Sequence, residues 1–383
     1  MTTVDDQNVT ENAPLCKVSY DAGISIIVPT YREAENIPHL LERIDQVRQA
    51  HGLTLEVLFM DDNSHDGSVE AVEASGFDWA RIIVREEDRG LSPAVIDGFK
   101  AARYPVLVCM DCDLSHPPEV LPKLVLGLHS GQQMVIGSRY VPGGSTDDDW
   151  GFFRWLNSLV ATIMARPLTI VRDPMSGLFA LRKSDFDSTR GLNPVGYKVA
   201  LELIVKCRFA NVGEIPIHFT DRQFGESKMT LREQLKYLQH LRRLYMFRFS
   251  RMMYLLQFLV VGASGVVVNL AVLSSLVGLG TPEWLALAGG IAVSLVTNFL
   301  LNRRFTFSYA KAEPIGRQFV AFVSACLLGL LVNYSVALML RTTVFQAGPF
   351  ALQVSALIGI AAGMGFNFLG ARYLVFRKRF VRK

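Results

Sequence analysis

The sequence predicts an α/β domain built on a mostly parallel sheet, followed by an all-α domain of four membrane-crossing helices. Three observations carry this expectation. Short apolar runs alternate with helix-patterned stretches through about the first 230 residues. Three of those runs end in polar clusters: Pro29-Thr30-Tyr31, Asp61-Asp62-Asn63 and Asp111-Cys112-Asp113. The last 130 or so residues hold four long stretches free of Asp, Glu, Lys and Arg.

The elements follow in order. Residues 1–22 are polar and aperiodic and are expected to form a flexible tail. Ile24–Val28 reads as a buried strand, Glu33 to about Ala50 as a helix, and Leu55–Met60 as the next strand. Arg81–Val84 is a third apolar run, Leu91–Ala102 is helical, and Val106–Met110 and Met134–Ile136 are the fourth and fifth runs. In such sheets ligands bind beyond the carboxyl ends of the strands, so polar clusters at three strand ends point to one site.

From Thr230 to Arg251, Leu235, Leu238, Leu241, Leu244 and Tyr245 recur at helical spacing, with Arg232, Lys236, Arg242, Arg243, Arg248 and Arg251 among them. This fits a helix on an anionic membrane surface. A solvated helix packed on the first domain is the plainer alternative. The charge-free stretches Met252–Pro282, Trp284–Asn302, Gln318–Leu340 and Thr342–Ala371 each supply about one span of roughly 20 residues. The spans are expected near 255–279, 283–302, 318–340 and 350–371. Basic residues flank them on one side: Arg303, Arg304, Lys311 and Arg317 in the middle loop, then Arg372, Arg377, Lys378, Arg379, Arg382 and Lys383 in the tail. Both termini and the first domain are therefore expected on the cytoplasmic face of a cell membrane. The segment Asn298–Phe307 resembles Asn367–Phe376, and Val268-Asn269 is echoed by Val332-Asn333, so the membrane part reads as two repeated hairpins. Asn269, Asn298, Asn333 and Asn367 are expected to hydrogen-bond between helices.

The formal charge of +4 says little as a total and gives no sign of nucleic-acid binding. The five cysteines show no metal spacing or disulfide framework. Asp111 and Asp113, one residue apart after a strand, can share one hard cation, which two carboxylates and substrate phosphates commonly hold. Asp62 at its strand end could accept from a ribose or base. Asp66-Gly67 is ordinary turn chemistry. Arg139, Arg154, Arg172, Arg222 and Lys228 offer positive partners to phosphates.

These motifs together resemble family 2 glycosyltransferases. The residues are Val28–Glu33, Asp61–Ser64, Asp111–Pro118, Gly137–Tyr140, Asp173–Phe179 and Gly225–Lys228. Within that family they are most similar to the polyprenyl (dolichyl) phosphate mannose synthase group, and the membrane part resembles a GtrA-like four-helix domain. The resemblance implies a GT-A fold over residues 23–229, an amphipathic interfacial region over 230–251 and a membrane domain over 252–383. It implies inverting, Mg²⁺- or Mn²⁺-dependent transfer from GDP-mannose to a polyprenyl monophosphate. Pro29, Tyr31, Glu33, Met60 and Asp62 would hold the guanosine, and Asp111, Cys112 and Asp113 the metal and diphosphate. Arg139, Arg222 and Lys228 would contact phosphates of donor or lipid, and Arg154 the lipid phosphate. Some family members carry Gln at the position of Ser115, where it helps hold the metal. The shorter Ser leaves direct ligation and ligation through water both open. A glucose transferase using UDP-glucose, and translocation of the lipid-linked sugar by the membrane part, are the alternative expectations; the membrane part could also make homo-oligomers.

Overall fold

The computed structural model describes residues 23–147, 152–193, 198–220, 231–348 and 350–377, without the side chains of 152–155 and 231–233. The chain divides into two compact units, one ending at Arg248 and the other beginning at Phe249.

The first unit is an α/β domain. Its strands are β1 (Ile24–Thr30), β2 (Leu55–Asp61), β3 (Ala80–Val84), β4 (Val106–Cys109), β5 (Met134–Ser138), β6 (Ser145–Thr146), β7 (Phe179–Arg182), β8 (Val212–Pro216) and β9 (His218–Phe219). Seven of them form one sheet in the order β3-β2-β1-β4-β7-β5-β8, and β6 pairs with β9. All pairings are parallel except those of β7, which runs antiparallel between β4 and β5.

Strand residues alternate between the two sheet faces, and both faces are buried. Ile26, Val28, Val57, Phe59 and Val108 pack under the helices Asn36–His51 and Leu121–His129. Ile27, Leu58, Leu107, Cys109 and Phe179 pack under Leu91–Ala101 and Val199–Lys206. Double coverage explains why these strands are continuously apolar rather than alternating. Each large side chain so buried contributes about 1.5–3 kcal/mol of transfer free energy.

The helix Leu231–Arg248 does not present its leucines as one face. Leu241 and Leu244 are buried against Ala165, Met175, Leu201 and Val205, whereas Leu235 and Leu238 are exposed. Steps of three residues fall about 60° short of a full turn, so the series drifts around the helix. One side docks on the first domain, and the other carries Leu235, Leu238 and Phe247 outward.

The second unit holds four helices long and apolar enough to cross a membrane: Ser250–Gly278, Glu283–Leu301, Ile315–Thr343 and Ala351–Gly370. The first packs on the second and the third on the fourth. Glycines let asparagines of the facing helix come close. A Cβ on Gly265 would overlap the Asn298 amide, and one on Gly329 would overlap Asn367. Asn269 sits likewise against Gly290, and Asn333 against Gly359. The second and fourth helices each end in a π-helical turn, Asn302–Thr306 and Ala371–Val375. The phenylalanines that follow, Phe307 and Phe376, stack on each other at 4.9 Å between ring centroids. The repeated segments thus meet through equivalent residues.

Candidate active site

The sheet order places a crevice. From β1 the chain moves outward to β2 and β3, then returns to lay β4 on the other side of β1. Ligands in open α/β sheets bind at such a reversal, beyond the carboxyl ends of the strands. Here those ends deliver Tyr31 and Glu33 after β1, and Asp111 and Asp113 after β4. Because β7 is antiparallel, its start lies beside the end of β4, with Phe179 opposite Cys109. The loop 173–178 therefore arrives at the same edge. The ends of β5 and β8 bring Arg139 and the segment 217–220 there too, with Ser138 opposite Pro216.

The loops at this edge hold unusual backbone. Arg32, Asn63, His65 and Leu114 all have positive φ, between 50° and 62°. Non-glycine residues in the left-handed region gather where surroundings over-determine them, commonly at functional sites.

Asp113 is 5% exposed, and its Oδ1 accepts from both the Oγ (2.5 Å) and the backbone N–H (3.1 Å) of Ser115. Ser115 is fully buried, and its hydroxyl orients the carboxylate. Asp111 is more open, and Gly177 stands against it: a Cβ there would lie 2.9 Å from Asp111 Oδ2 and 3.0 Å from His116 Cε1. The Asp111 N–H donates to His116 Nδ1 at 3.2 Å, and the same nitrogen stands 3.5 Å from Asp111 Oδ2. Cys112 points away: its thiol is buried in the core, and burial, then the charges of Glu33, Asp113 and Asp111, push it well above the usual thiol range. With its side chain packed in the core, Cys112 turns its main chain to the site. The donor set at this strand end is therefore two carboxylates, which suits a hard cation. Among the described residues no three of His, Cys, Asp and Glu gather around a common point.

The residues expected around a nucleoside divide into two kinds. Tyr31 is exposed and Glu33 half-buried, with Glu33 Oε2 accepting from Asn36 Nδ2 at 2.5 Å. Pro29 is half-buried, and Met60 is a core side chain, 1% exposed. Asp62 is committed within the protein. One oxygen pairs with Arg85, and the other accepts from the Gly90 N–H at 2.6 Å. Arg85 also pairs with Asp97 at 3.0 Å and donates to Asp88 O at 2.9 Å. Asp62 thus ties the segment 85–90 to the end of β2. Asp66 accepts from Ser64, Ser68 and the Ala34 N–H. Burial raises its pKa, but these hydrogen bonds outweigh it and hold the carboxyl below its ordinary value.

Arg139 forks onto Asp173, Nε to Oδ2 at 2.7 Å and Nη2 to Oδ1 at 2.8 Å, with its backbone N–H adding a third bond at 3.1 Å. Its guanidinium lies over Phe219 and beside Tyr140. Burial works against the charge, yet Asp173 more than compensates and raises its pKa. Glu214 accepts from the N–H groups of Arg172 and Asp173, and Ser176 Oγ donates to Gly137 O at 2.7 Å. The loop 173–177 is therefore pinned from three directions beside Asp111. Lys198, at the head of the helix Val199–Lys206, belongs to the same electrostatic group. Burial, reinforced by Arg139 and opposed by Asp173 and Asp111, brings its ammonium down to about 8.

Arg154 lies in the helix Phe152–Ala165, but its side chain is outside the described residues, as are Arg222 and Lys228. Asp173, Glu214, His116, Phe219, Arg85 and Lys198 had not been singled out as site residues. Of these, Asp173 within the Asp173–Phe179 motif and His116 within the Asp111–Pro118 motif carried a signal in the sequence.

Comparison with known proteins agrees across both units. Residues 25–190 match the family described as Glycosyl transferase family 2, and residues 257–376 match GtrA/DPMS, transmembrane domain. The dolichol-phosphate mannosyltransferase of Pyrococcus furiosus is 37% identical over 359 residues, covering 92% of this chain and 98% of that protein. The dolichol-phosphate mannosyltransferase of Saccharomyces cerevisiae is 45% identical over 237 residues, covering 59% of this chain and 88% of that one. Among solved structures, glucosyl-3-phosphoglycerate synthase of Mycobacterium tuberculosis with Mn²⁺, UDP and glucosyl-3-phosphoglycerate is 20% identical, with a TM-score of 0.48 over 63% of this chain and 86% of that chain.

Proposed function

This chain is a membrane glycosyltransferase of family 2 and belongs to the dolichol-phosphate mannosyltransferases, and from that premise we propose that it transfers mannose from GDP-mannose to a polyprenyl monophosphate. The observation that carries the proposal is the pair Asp111 and Asp113 at the end of β4, set in the crevice where the strand order reverses.

The donor nucleoside lies across the ends of β1 and β2. Tyr31 and Glu33 meet it directly, Pro29 and Met60 through main chain, and Asp62 through the segment it braces with Arg85. Asp111 and Asp113 would hold Mg²⁺ or Mn²⁺, which when bound offsets the negative charge of the diphosphate. Ser115 presets the Asp113 carboxylate rather than reaching a cation itself. Arg222 and Lys228 take the donor phosphates in this reading, and Arg154 takes the acceptor phosphate.

The acceptor phosphate is an anion near neutral pH, so no residue need remove a proton from it. One of its oxygens attacks the anomeric carbon, the bond from that carbon to the diphosphate oxygen breaks, and GDP leaves with the electron pair. Attack from the opposite face turns an α-linked donor into a β-linked product. The protein's work is positioning and charge placement. Arg139 acts at one remove, by clamping Asp173 and the loop beside Asp111.

We assign residues 23–229 to the transferase domain, 230–251 to a membrane-surface region and 252–383 to the membrane domain, with both termini cytoplasmic. Basic residues flanking the spans support that orientation. Labelling of single cysteines placed at Lys311 and at Gly280 in sealed vesicles tests it, since the two sites must label from opposite sides. For the chemistry, Arg154→Ala is expected to raise the KM for polyprenyl phosphate at least tenfold while the donor KM changes little. An unchanged acceptor KM removes Arg154 from its role.

A further inference from the structure

Away from the crevice, the first unit holds a cavity of about 460 Å³, lined by 166–171, Ile204, Val205, the segment 208–212 and Arg248. It reaches the start of β8 at Val212, the opposite end of that strand from Pro216, where the crevice lies. Its chemistry is one-sided. Arg166, Arg208 and Arg248 line it together with apolar Leu168, Val205 and Phe209, and no Asp or Glu is among the lining residues.

Two details suggest that these arginines are there for their charge. Arg208 follows the helix Val199–Lys206 with φ of +56°, a position where glycine is the unstrained residue. Arg166 Nη1 donates to the carbonyls of Ile170 and Val171 at 3.1 and 3.0 Å, which orders the rim. On that rim Ile170 is 90% exposed, and the preceding helix leaves Leu159, Val160 and Ile163 exposed as well. Arg248 stands two positions before Ser250, where the first membrane-crossing helix begins.

We propose that this cavity is a binding site for the headgroup of an anionic phospholipid. The phosphate pairs with Arg208 and Arg248, the glycerol region rests on the apolar floor, and Ile170 enters the interfacial layer. Juxtamembrane cations draw acidic lipid in this way, and arginine forks onto phosphate. The site lies at the opposite end of β8 from the crevice, so it is separate from the acceptor site of the proposed function.

The test uses the full chain in neutral detergent, with thermal unfolding followed as dioleoylphosphatidylglycerol, dioleoylphosphatidylcholine or inorganic phosphate is added. Phosphatidylglycerol is expected to raise the melting temperature more than phosphatidylcholine, and inorganic phosphate to leave it unchanged. The paired variant Arg208→Gly with Arg248→Gln is expected to lose at least half of the phosphatidylglycerol-specific rise. Arg208→Gly alone is expected to lose a smaller part while leaving the fold at least as stable, because glycine relieves the positive φ. A full phosphatidylglycerol response in the paired variant overturns the proposal. So does an equal response to inorganic phosphate in the unaltered chain, which would mark a soluble-anion site.

Discussion

Arg139 and Asp173 form a buried two-pronged ion pair, at 2.7 and 2.8 Å, that closes one wall of the crevice. Asp173 is fully buried, so removing the arginine leaves a carboxylate with its main counter-charge gone. Arg139→Ala is expected to cost about 3–5 kcal/mol of stability. Arg139→Lys keeps the charge but cannot reproduce the fork, so it should recover part of the stability and little of the transfer rate. Melting temperature and kcat measured together test this. Full activity in Arg139→Lys would show that the fork is dispensable.

Ser115 holds Asp113 by hydroxyl and N–H, and so is expected to tune cation affinity without being required for transfer. Ser115→Ala should raise the Mg²⁺ or Mn²⁺ concentration for half-maximal activity by about 10-fold, the lower range for outer-shell partners of metal ligands. At saturating cation kcat should stay within a few-fold of the unaltered protein. A collapse of kcat at saturating cation would mean that Ser115 acts on the substrate directly.

His240 couples the docked helix Leu231–Arg248 to pH. Burial pushes its imidazole below the ordinary 6.5, and Lys206 and Arg243 reinforce this against the opposing pull of Glu202, 3.5 Å away. A lowered pKa in the fold means the unfolded chain takes up the proton first as pH falls. The stability is therefore complete above about pH 6.5 and declines as pH drops below it toward the lower folded value. Melting temperatures from pH 7.5 to 5.5 should fall by a few degrees more in the unaltered chain than in His240→Gln. Parallel curves would remove His240 as the cause.

In the membrane unit, Gly329 makes room for Asn367, since any Cβ there would overlap its amide oxygen. Gly329→Ala is expected to destabilise the second hairpin by about 1–3 kcal/mol, the usual cost of overpacking. Gly365→Ala, where nothing lies within 4 Å, should be silent. Asn367→Ala added to Gly329→Ala should return part of the loss, and thermal unfolding in detergent reads all three. Equal melting temperatures for the two glycine variants would contradict the packing account.

Much of this architecture was legible in the chain. The apolar runs Ile24–Val28, Leu55–Met60 and Val106–Met110 lie side by side in one sheet, because buried parallel strands need unbroken hydrophobic stretches. The four spans were equally plain from length and charge. The antiparallel β7 was not: four residues, Phe179–Arg182, are too short to show a period, and its pairing with β4 and β5 is a tertiary choice. The clamp of Arg139 on Asp173 escaped for a related reason. The partners stand 34 positions apart, and nothing local couples them. Lys198 and Glu214 gain their place only because strands remote in sequence end at one edge. Asp62 was legible as a strand-end acid but not as the partner of Arg85, which the intervening helix brings back to it.

The central claim is that Asp111 and Asp113 support cation-dependent mannosyl transfer to a lipid phosphate. Its most direct test is product formation by the detergent-purified chain with labelled GDP-mannose or UDP-glucose and a polyprenyl monophosphate, with Mg²⁺ or Mn²⁺ or with chelator, beside Asp113→Ala. The account predicts β-mannosyl phosphoryl polyprenol from GDP-mannose with cation, and at least a thousandfold less with chelator or in a folded Asp113→Ala protein. Undiminished transfer in the variant or in chelator, or transfer from UDP-glucose instead, would contradict it.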